Sequence, residues 1–205
     1  MIVAIAGLHG KSENLQLLTK FLAELKFDGF IFVCGVKNED LDILKELKKF
    51  NVRIVFKGNK EFKDKLTRIY SLLWPNSPWP QREIETRLGE SESLIVPNIN
   101  DEMTTWYDWK KRYDVIIHGS EQEPKVVEHK GETYCNPSRL TICPGELGGE
   151  NPSFALITID RDQIEDKRMR MREGAVGIST THYTLKNCVW FPKTLRGENV
   201  KLKVA

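Results

Sequence analysis

The sequence predicts an α/β protein assembled from βαβ units. Short apolar runs, each closed by a glycine, alternate with leucine-rich segments of helical spacing through the first third of the chain. A further apolar run, Val115 to Ile117, opens into a polar turn in the second half. The 205 residues are 40% hydrophobic and 29% charged, enough apolar chain to bury one sizeable core. Strands alternating with helices of this length imply right-handed crossovers and a largely parallel sheet.

In order, Ile2 to Ala6 is a strand that Gly7-Leu8-His9-Gly10 breaks, and Leu15, Leu17, Leu18, Phe21, Leu22 and Leu25 form the stripe of a helix. Gly29 to Cys34 repeats the strand, Gly35 the turn, and Leu41, Ile43, Leu44 and Leu47 the helix. Val52 to Phe56 is a third strand, ending at Gly58-Asn59. Phe62, Leu66, Ile69, Tyr70 and Leu73 mark a third helix, which Pro75 must end because its ring clashes with the preceding turn. A rigid loop, Trp74-Pro75-Asn76-Ser77-Pro78-Trp79-Pro80, follows.

Ser93 to Val96 resumes strand character, and Asp101 reads as the N-cap of a helix carrying Met103, Trp106 and Trp109. After the Val115 to Ile117 strand, Gly119 marks a turn, and Lys130-Gly131 separates Val126-Val127 from Thr133-Tyr134 as a hairpin. Phe154 to Ile159 is another strand, and the segment from Gln163 to Ala205 alternates as an antiparallel edge. The expected organisation is one domain over 1–205, with a core at 1–160 and a C-terminal β extension at 161–205.

Charge excludes little but sharpens expectation. A formal net charge of +2, from 31 basic and 29 acidic residues, gives no global attraction to nucleic acid or an anionic membrane, so any basic surface must be local. Cys34, Cys135, Cys143 and Cys188 lack Cys-x-x-Cys spacing and read as reduced thiols, which favours the cytoplasm. The Met1 to Ile5 run is too short for a signal peptide, and no apolar stretch has the length of a membrane span.

The turn after Val115 to Ile117 runs Gly119-Ser120-Glu121-Gln122-Glu123-Pro124, with Cys135-Asn136-Pro137-Ser138 beyond it. This stretch resembles the calcineurin-like metallophosphoesterases, in particular their small YfcE-like branch, which reads strand, Gly-His-x-His-x-Pro, hairpin, Asn-Pro-Gly-Ser. Gly119, Glu123, Pro124, Asn136, Pro137 and Ser138 match, whereas Ser120 and Gln122 stand where that family has histidines. The resemblance covers most of residues 2–160 and implies a metallophosphoesterase-like α/β sandwich with mixed sheets.

Such an enzyme needs oxygen and imidazole ligands converging on two cations about 3.5–4 Å apart. The family supplies them through Asp-x-His after the first strand, Gly-Asp after the second, Gly-Asn-His after the third, and later histidines. Here Gly7 replaces the first aspartate while His9 is kept, Val36 replaces the bridging carboxylate, and Asn59 is kept while Lys60 replaces the histidine. A fourth motif falls near Pro97-Asn98-Ile99. One imidazole and one amide cannot neutralise two divalent cations. The resemblance therefore implies the fold without the activity: no catalytic residue, no metal and no cofactor is expected.

Three further features bear on function. His9, Lys11, Lys37, Asn59, Lys60 and Arg139 would form an anion-binding set if they faced the old cleft. Gly10-Lys11-Ser12 is no P-loop, because Ile5 stands where the first glycine is required. Arg168, Arg170 and Arg172 share one face of a strand-like stretch with Met169 and Met171 opposite, a basic stripe suited to phosphate backbones or to guarding a sheet edge. Trp74 and Trp79, held among prolines, suit a protein-binding anchor or a lid.

The primary expectation is a binding or scaffold module for a protein or RNA-containing assembly. The alternatives are a phosphodiesterase or phosphatase with a divergent site around His9 and Asn59, helped by His118 or Glu121, and a metal-free nucleotide or nucleic-acid binder.

Overall fold

The computed structural model describes residues 1–89, 91–98, 113–119, 122–129, 139–159 and 178–193. Two mixed sheets stack face to face. The first has six strands in the order β11-β10-β9-β1-β2-β3, and the second has five in the order β4-β5-β6-β8-β7. The first three strands are β1 (Ile2–Ala6), β2 (Phe30–Val36) and β3 (Asn51–Phe56), all parallel, as the βαβ alternation predicts. Against β1 runs β9 (Ser153–Ile159), antiparallel, followed by the hairpin β10 (Ile178–Lys186) and β11 (Val189–Lys193).

Helices cover the outer face of this sheet. In α1 (Ser12–Glu24), Leu15, Leu18 and Leu22 are buried, and in α2 (Lys60–Leu73), Phe62, Leu66 and Tyr70 are. Each set lies on one stripe at i+3 and i+4 spacing. The segment Asn38–Leu47, expected as an α-helix, is instead a 3-10 helix. Three residues per turn eclipse Leu41, Leu44 and Leu47, so all three face inward together.

Strand alternation sorts the core into layers. Val3, Ile5, Ile31, Val33, Ile54, Phe56, Phe154 and Leu156 pack toward the helices. Their neighbours Ile2, Ala4, Ala6, Phe32, Cys34, Val55, Ala155 and Ile157 pack toward the second sheet, where they meet Ile95, Val115, Ile117 and Ile142. Burial on both faces explains why β1 reads as an unbroken apolar run.

The second sheet begins with β4 (Ile84–Leu88), a strand the sequence left unmarked because its central residues are polar and only Ile84 and Leu88 are buried. It pairs antiparallel with β5 (Ser91–Val96); β6 (Val115–His118) and β8 (Arg139–Cys143) then run parallel to β5, and β7 (Lys125–His129) closes the edge antiparallel to β8. The hairpin expected at Lys130-Gly131 is longer than its sequence signal. Val127 pairs with Thr141, so the returning strand is β8, and 130–138 lies outside the described residues. The expected helix around Trp106 also lies outside them.

At one end the sheets come very close. A Cβ on Gly119, just past β6, would lie 2.8 Å from the Ala6 Cβ and 3.0 Å from the Cys34 Cβ. Gly119→Ala is expected to cost about 1–3 kcal/mol through overpacking. Urea unfolding measures this, and an unchanged midpoint would contradict so close an approach.

Candidate functional site

The ends of β1, β2, β6 and β8 converge at this narrow end, and hydrogen bonds beyond the ladders lock their loops. The amide of Gly119 donates to the Pro97 carbonyl at 3.2 Å, that of Leu147 to Ala6 at 2.8 Å, and that of Gly148 to Gly7 at 2.7 Å. A Cβ on Gly148 would stand 2.1 Å from the Leu8 oxygen, so only glycine lets this segment lie against the first loop.

A carboxylate joins the first two loops. Asp40 is only 1% exposed, and its oxygens accept from the Gly10 amide at 2.9 Å and the Lys37 amide at 2.8 Å. A buried charge is tolerable when its lone pairs meet N–H groups, and these two come from loops that follow different strands. In the sequence, Asn38-Glu39-Asp40 ahead of Leu41 signals a helix start, but nothing local reveals that Asp40 also reaches residue 10.

His9 lies between two carboxylates, with Nε2 3.2 Å from Glu146 and Nδ1 3.6 Å from Glu39. Its φ of +50° is a left-handed conformation, uncommon for a residue other than glycine. The Glu146 stem fills the space beside Gly7, where an added Cβ would meet its Cγ at 2.6 Å. A cavity of about 400 Å³ opens here, lined by His9, Lys11, Gln122, Glu123, Glu146 and Glu150 among others.

The anion-binding set does not assemble as a group around this cavity. Lys11 and His9 line it, but with three glutamates; Lys37, Asn59 and Lys60 are exposed and are not part of its lining. Asn59 is the N-cap of α2, its side chain accepting from the Phe62 amide at 2.9 Å. Val36 is 1% exposed and belongs to the core between sheet and helices. Gly35, read as a turn, is a bulge inside β2 with φ +78°, which is how the strand continues to Val36.

His118 is buried, and burial, with Lys125 as the lesser cause, lowers its pKa from 6.5 to about 4. Cys34 and Cys143 are buried thiols outside any disulfide, and Cys188 an exposed one; burial first, then Cys143, pushes the Cys34 thiol far above its usual range. The expectation that Trp74 lies on an interaction surface is corrected. Trp74 is 6% exposed, packs on Tyr70 with ring centroids 4.9 Å apart, and donates its indole N–H to the Phe50 carbonyl at 3.0 Å. Trp79, 68% exposed, does sit on the surface. Ser120, Glu121, Cys135, Asn136, Pro137, Ser138, Arg168, Arg170, Arg172 and the Arg139 side chain lie outside the described residues.

No protein-family model matches this sequence, and no curated protein matches it. A solved structure of a novel archaeal phosphodiesterase is similar, with a TM-score of 0.63 over 90% of this chain and 99% of that one, at 15% sequence identity. The fold is a phosphoesterase-like α/β sandwich. At that identity the likeness speaks for fold alone. Among the described residues, no helix is long and apolar enough to cross a membrane.

Within this phosphoesterase-like frame, the described residues at the ends of the first three strands do not fit a two-metal centre. Gly7 offers no ligand, and Glu146 methylenes occupy the space beside it. Val36 is sealed in the core without a lone pair, and the Asn59 oxygen is engaged as a cap. No group of three His, Cys, Asp or Glu side chains among the described residues is arranged to hold a metal ion. The chain also shifts one landmark. Because the hairpin closes at Cys143, the segment that follows it is Cys143-Pro144-Gly145-Glu146 rather than Asn136-Pro137-Ser138, and this is how Glu146 reaches the cavity. A Pro-Gly step just after an apolar strand was the available signal for it.

Two predictions follow from these side chains. Asp40→Ala leaves the Gly10 and Lys37 amides without their acceptor and is expected to cost about 2 kcal/mol or more, with Asp40→Asn costing less, by urea unfolding. For His118, the unfolded chain takes up a proton first as pH falls. Its contribution is therefore intact above about pH 6.5 and is lost toward pH 4, by about 3 kcal/mol in all. Unfolding free energies across that window should show the loss in wild type and its absence in His118→Gln.

Proposed function

We propose that this chain is a non-hydrolytic binding or scaffold module built on the phosphoesterase fold, serving a protein or RNA-containing assembly. The observation that carries the reading is the donor set at the strand ends. Val36 is buried in the core, Asn59 caps a helix, and the side of Gly7 is taken up by Glu146, so the convergent loops are held by protein groups. Asp40 supplies the negative charge that links the first two loops, and it spends both oxygens on backbone amides. Scaffold roles of this kind are known for catalytically silent members of the fold, as in the retromer coat. Buried Cys34 and Cys143, neither in a disulfide, accord with a reducing compartment, and the cytoplasm is the location we propose.

A second reading, a hydrolase with one metal at a divergent site, draws on His9 and Glu146 lying 3.2 Å apart in an open cavity. Metal analysis and hydrolysis of a generic phosphodiester in the presence of Mn²⁺ or Ni²⁺ separate the two. The module reading expects no stoichiometric metal and no turnover above buffer. Stoichiometric metal with turnover that His9→Ala abolishes would overturn it.

A further inference from the structure

The cavity beside His9 does not end at its rim. A second cavity of about 370 Å³ adjoins it, lined by Leu185, Phe191 and Pro192 and by Lys186 and Lys193. Glu123 and Asn151 line both, so the two form one groove running from the β1 loop to the β10–β11 hairpin. Alternation along β11 buries Trp190 against Phe154, with ring centroids 4.9 Å apart, and turns Phe191 outward, 47% exposed, into this groove.

Charge along the groove is uneven. Its inner part carries Glu123, Glu146 and Glu150 against Lys11 and a histidine already beside Glu146. At the junction, the Lys193 ammonium stands 3.5 Å from the Glu123 carboxylate; both side chains are substantially exposed, so this pair is weak and exchangeable. In the inner part three carboxylates outnumber Lys11 and disfavour phosphate, which argues against a nucleic-acid backbone there, although Lys186 and Lys193 line the outer part. Pro192 removes an N–H from the edge strand, which disfavours a partner that would add a strand there. What remains is recognition by side chains.

We propose that this groove docks an extended segment of a partner protein carrying an arginine or lysine next to an apolar side chain. The cation sits among Glu123, Glu146 and Glu150, and the apolar side chain lies on Leu185, Phe191 and Pro192. The proposal rests on the binding-module reading and supplies its partner chemistry. Exposed carboxylates draw in the basic group and set the orientation, while the half-exposed phenyl ring gives the apolar contact that such interfaces depend on.

Fluorescence anisotropy with a labelled hexapeptide of alternating arginine and leucine tests it. Wild type is expected to bind this peptide, less tightly as salt rises, and to bind the version with glutamate for arginine about tenfold or more weakly. Glu150→Lys and Phe191→Asp alter exposed residues, so each should keep the wild-type melting temperature and lose about tenfold or more in affinity. No binding up to millimolar peptide, equal affinity for the glutamate version, or binding that neither variant changes would each overturn the groove. A single-stranded oligonucleotide that binds more tightly than the peptide and competes with it would also overturn it, in favour of nucleic acid. Metal content and turnover on the same preparation separate the two levels. Failed peptide binding without turnover removes the groove alone, whereas metal-dependent turnover removes the module reading beneath it.

Discussion

The close approach of the two sheets at Gly119 is the constraint on which the rest of the structure depends. A Cβ there would collide with those of Ala6 and Cys34, and the facing surface of the first sheet carries further small residues at Ala4 and Ala155. Where the intervening side chains are this small, strand ends from both sheets crowd together. Backbone groups beyond the last ladder bond must then find partners across loops, because buried amides left without acceptors are expensive. The bonds from Gly119 to Pro97, Leu147 to Ala6 and Gly148 to Gly7 are the outcome, and the Asp40 carboxylate completes them by taking the amides of Gly10 and Lys37.

This same convergence gives the site its chemistry. Strand ends brought together make a cleft whatever side chains occupy them, and in open α/β sheets the crevice at the carboxyl ends of the strands is where ligands bind. Here the loops bring carboxylates and one imidazole, and among the described residues no group of three His, Cys, Asp or Glu is arranged to hold a metal ion. Glu146 lies over the first glycine and against His9, and Glu123 and Glu150 extend the acidic lining outward. Against Lys11, these three carboxylates leave the lining with an excess of acidic side chains. The hairpin at the far edge of the first sheet prolongs it with Phe191, Leu185 and Pro192, so polar and apolar recognition lie end to end.

Most of the frame was legible in the sequence because its signals are local. Ile2–Ala6, Leu15, Leu18 and Leu22 of α1, and Phe62, Leu66 and Tyr70 of α2 each fall where periodicity put them, whereas Leu25, expected on the same stripe, is the exposed C-cap of α1. Departures occurred where local and tertiary preferences diverged. The stripe from Leu41 to Leu47 serves a 3-10 helix as well as an α-helix, since i+3 spacing is common to both. Strand β4 has a polar middle and is held by pairing with β5. Trp74 looks like a surface anchor among prolines, but α2 ends with it turned inward over Tyr70.

The sequence by itself determined the strands β1, β2 and β3, the helices α1 and α2, the turns at Gly7, Gly58 and Gly119, and an aliphatic side chain without a lone pair at Val36, since each rests on residue type and near neighbours. Only the tertiary structure decided that Asp40 would tie residue 10 to residue 37, that Glu146 would fill the place beside Gly7, and that Lys37 and Lys60 would stay outside the cavity while Lys11 joins it. Those outcomes depend on distances between segments far apart in the chain. Sheet packing sets them, and no pattern read along the chain encodes them.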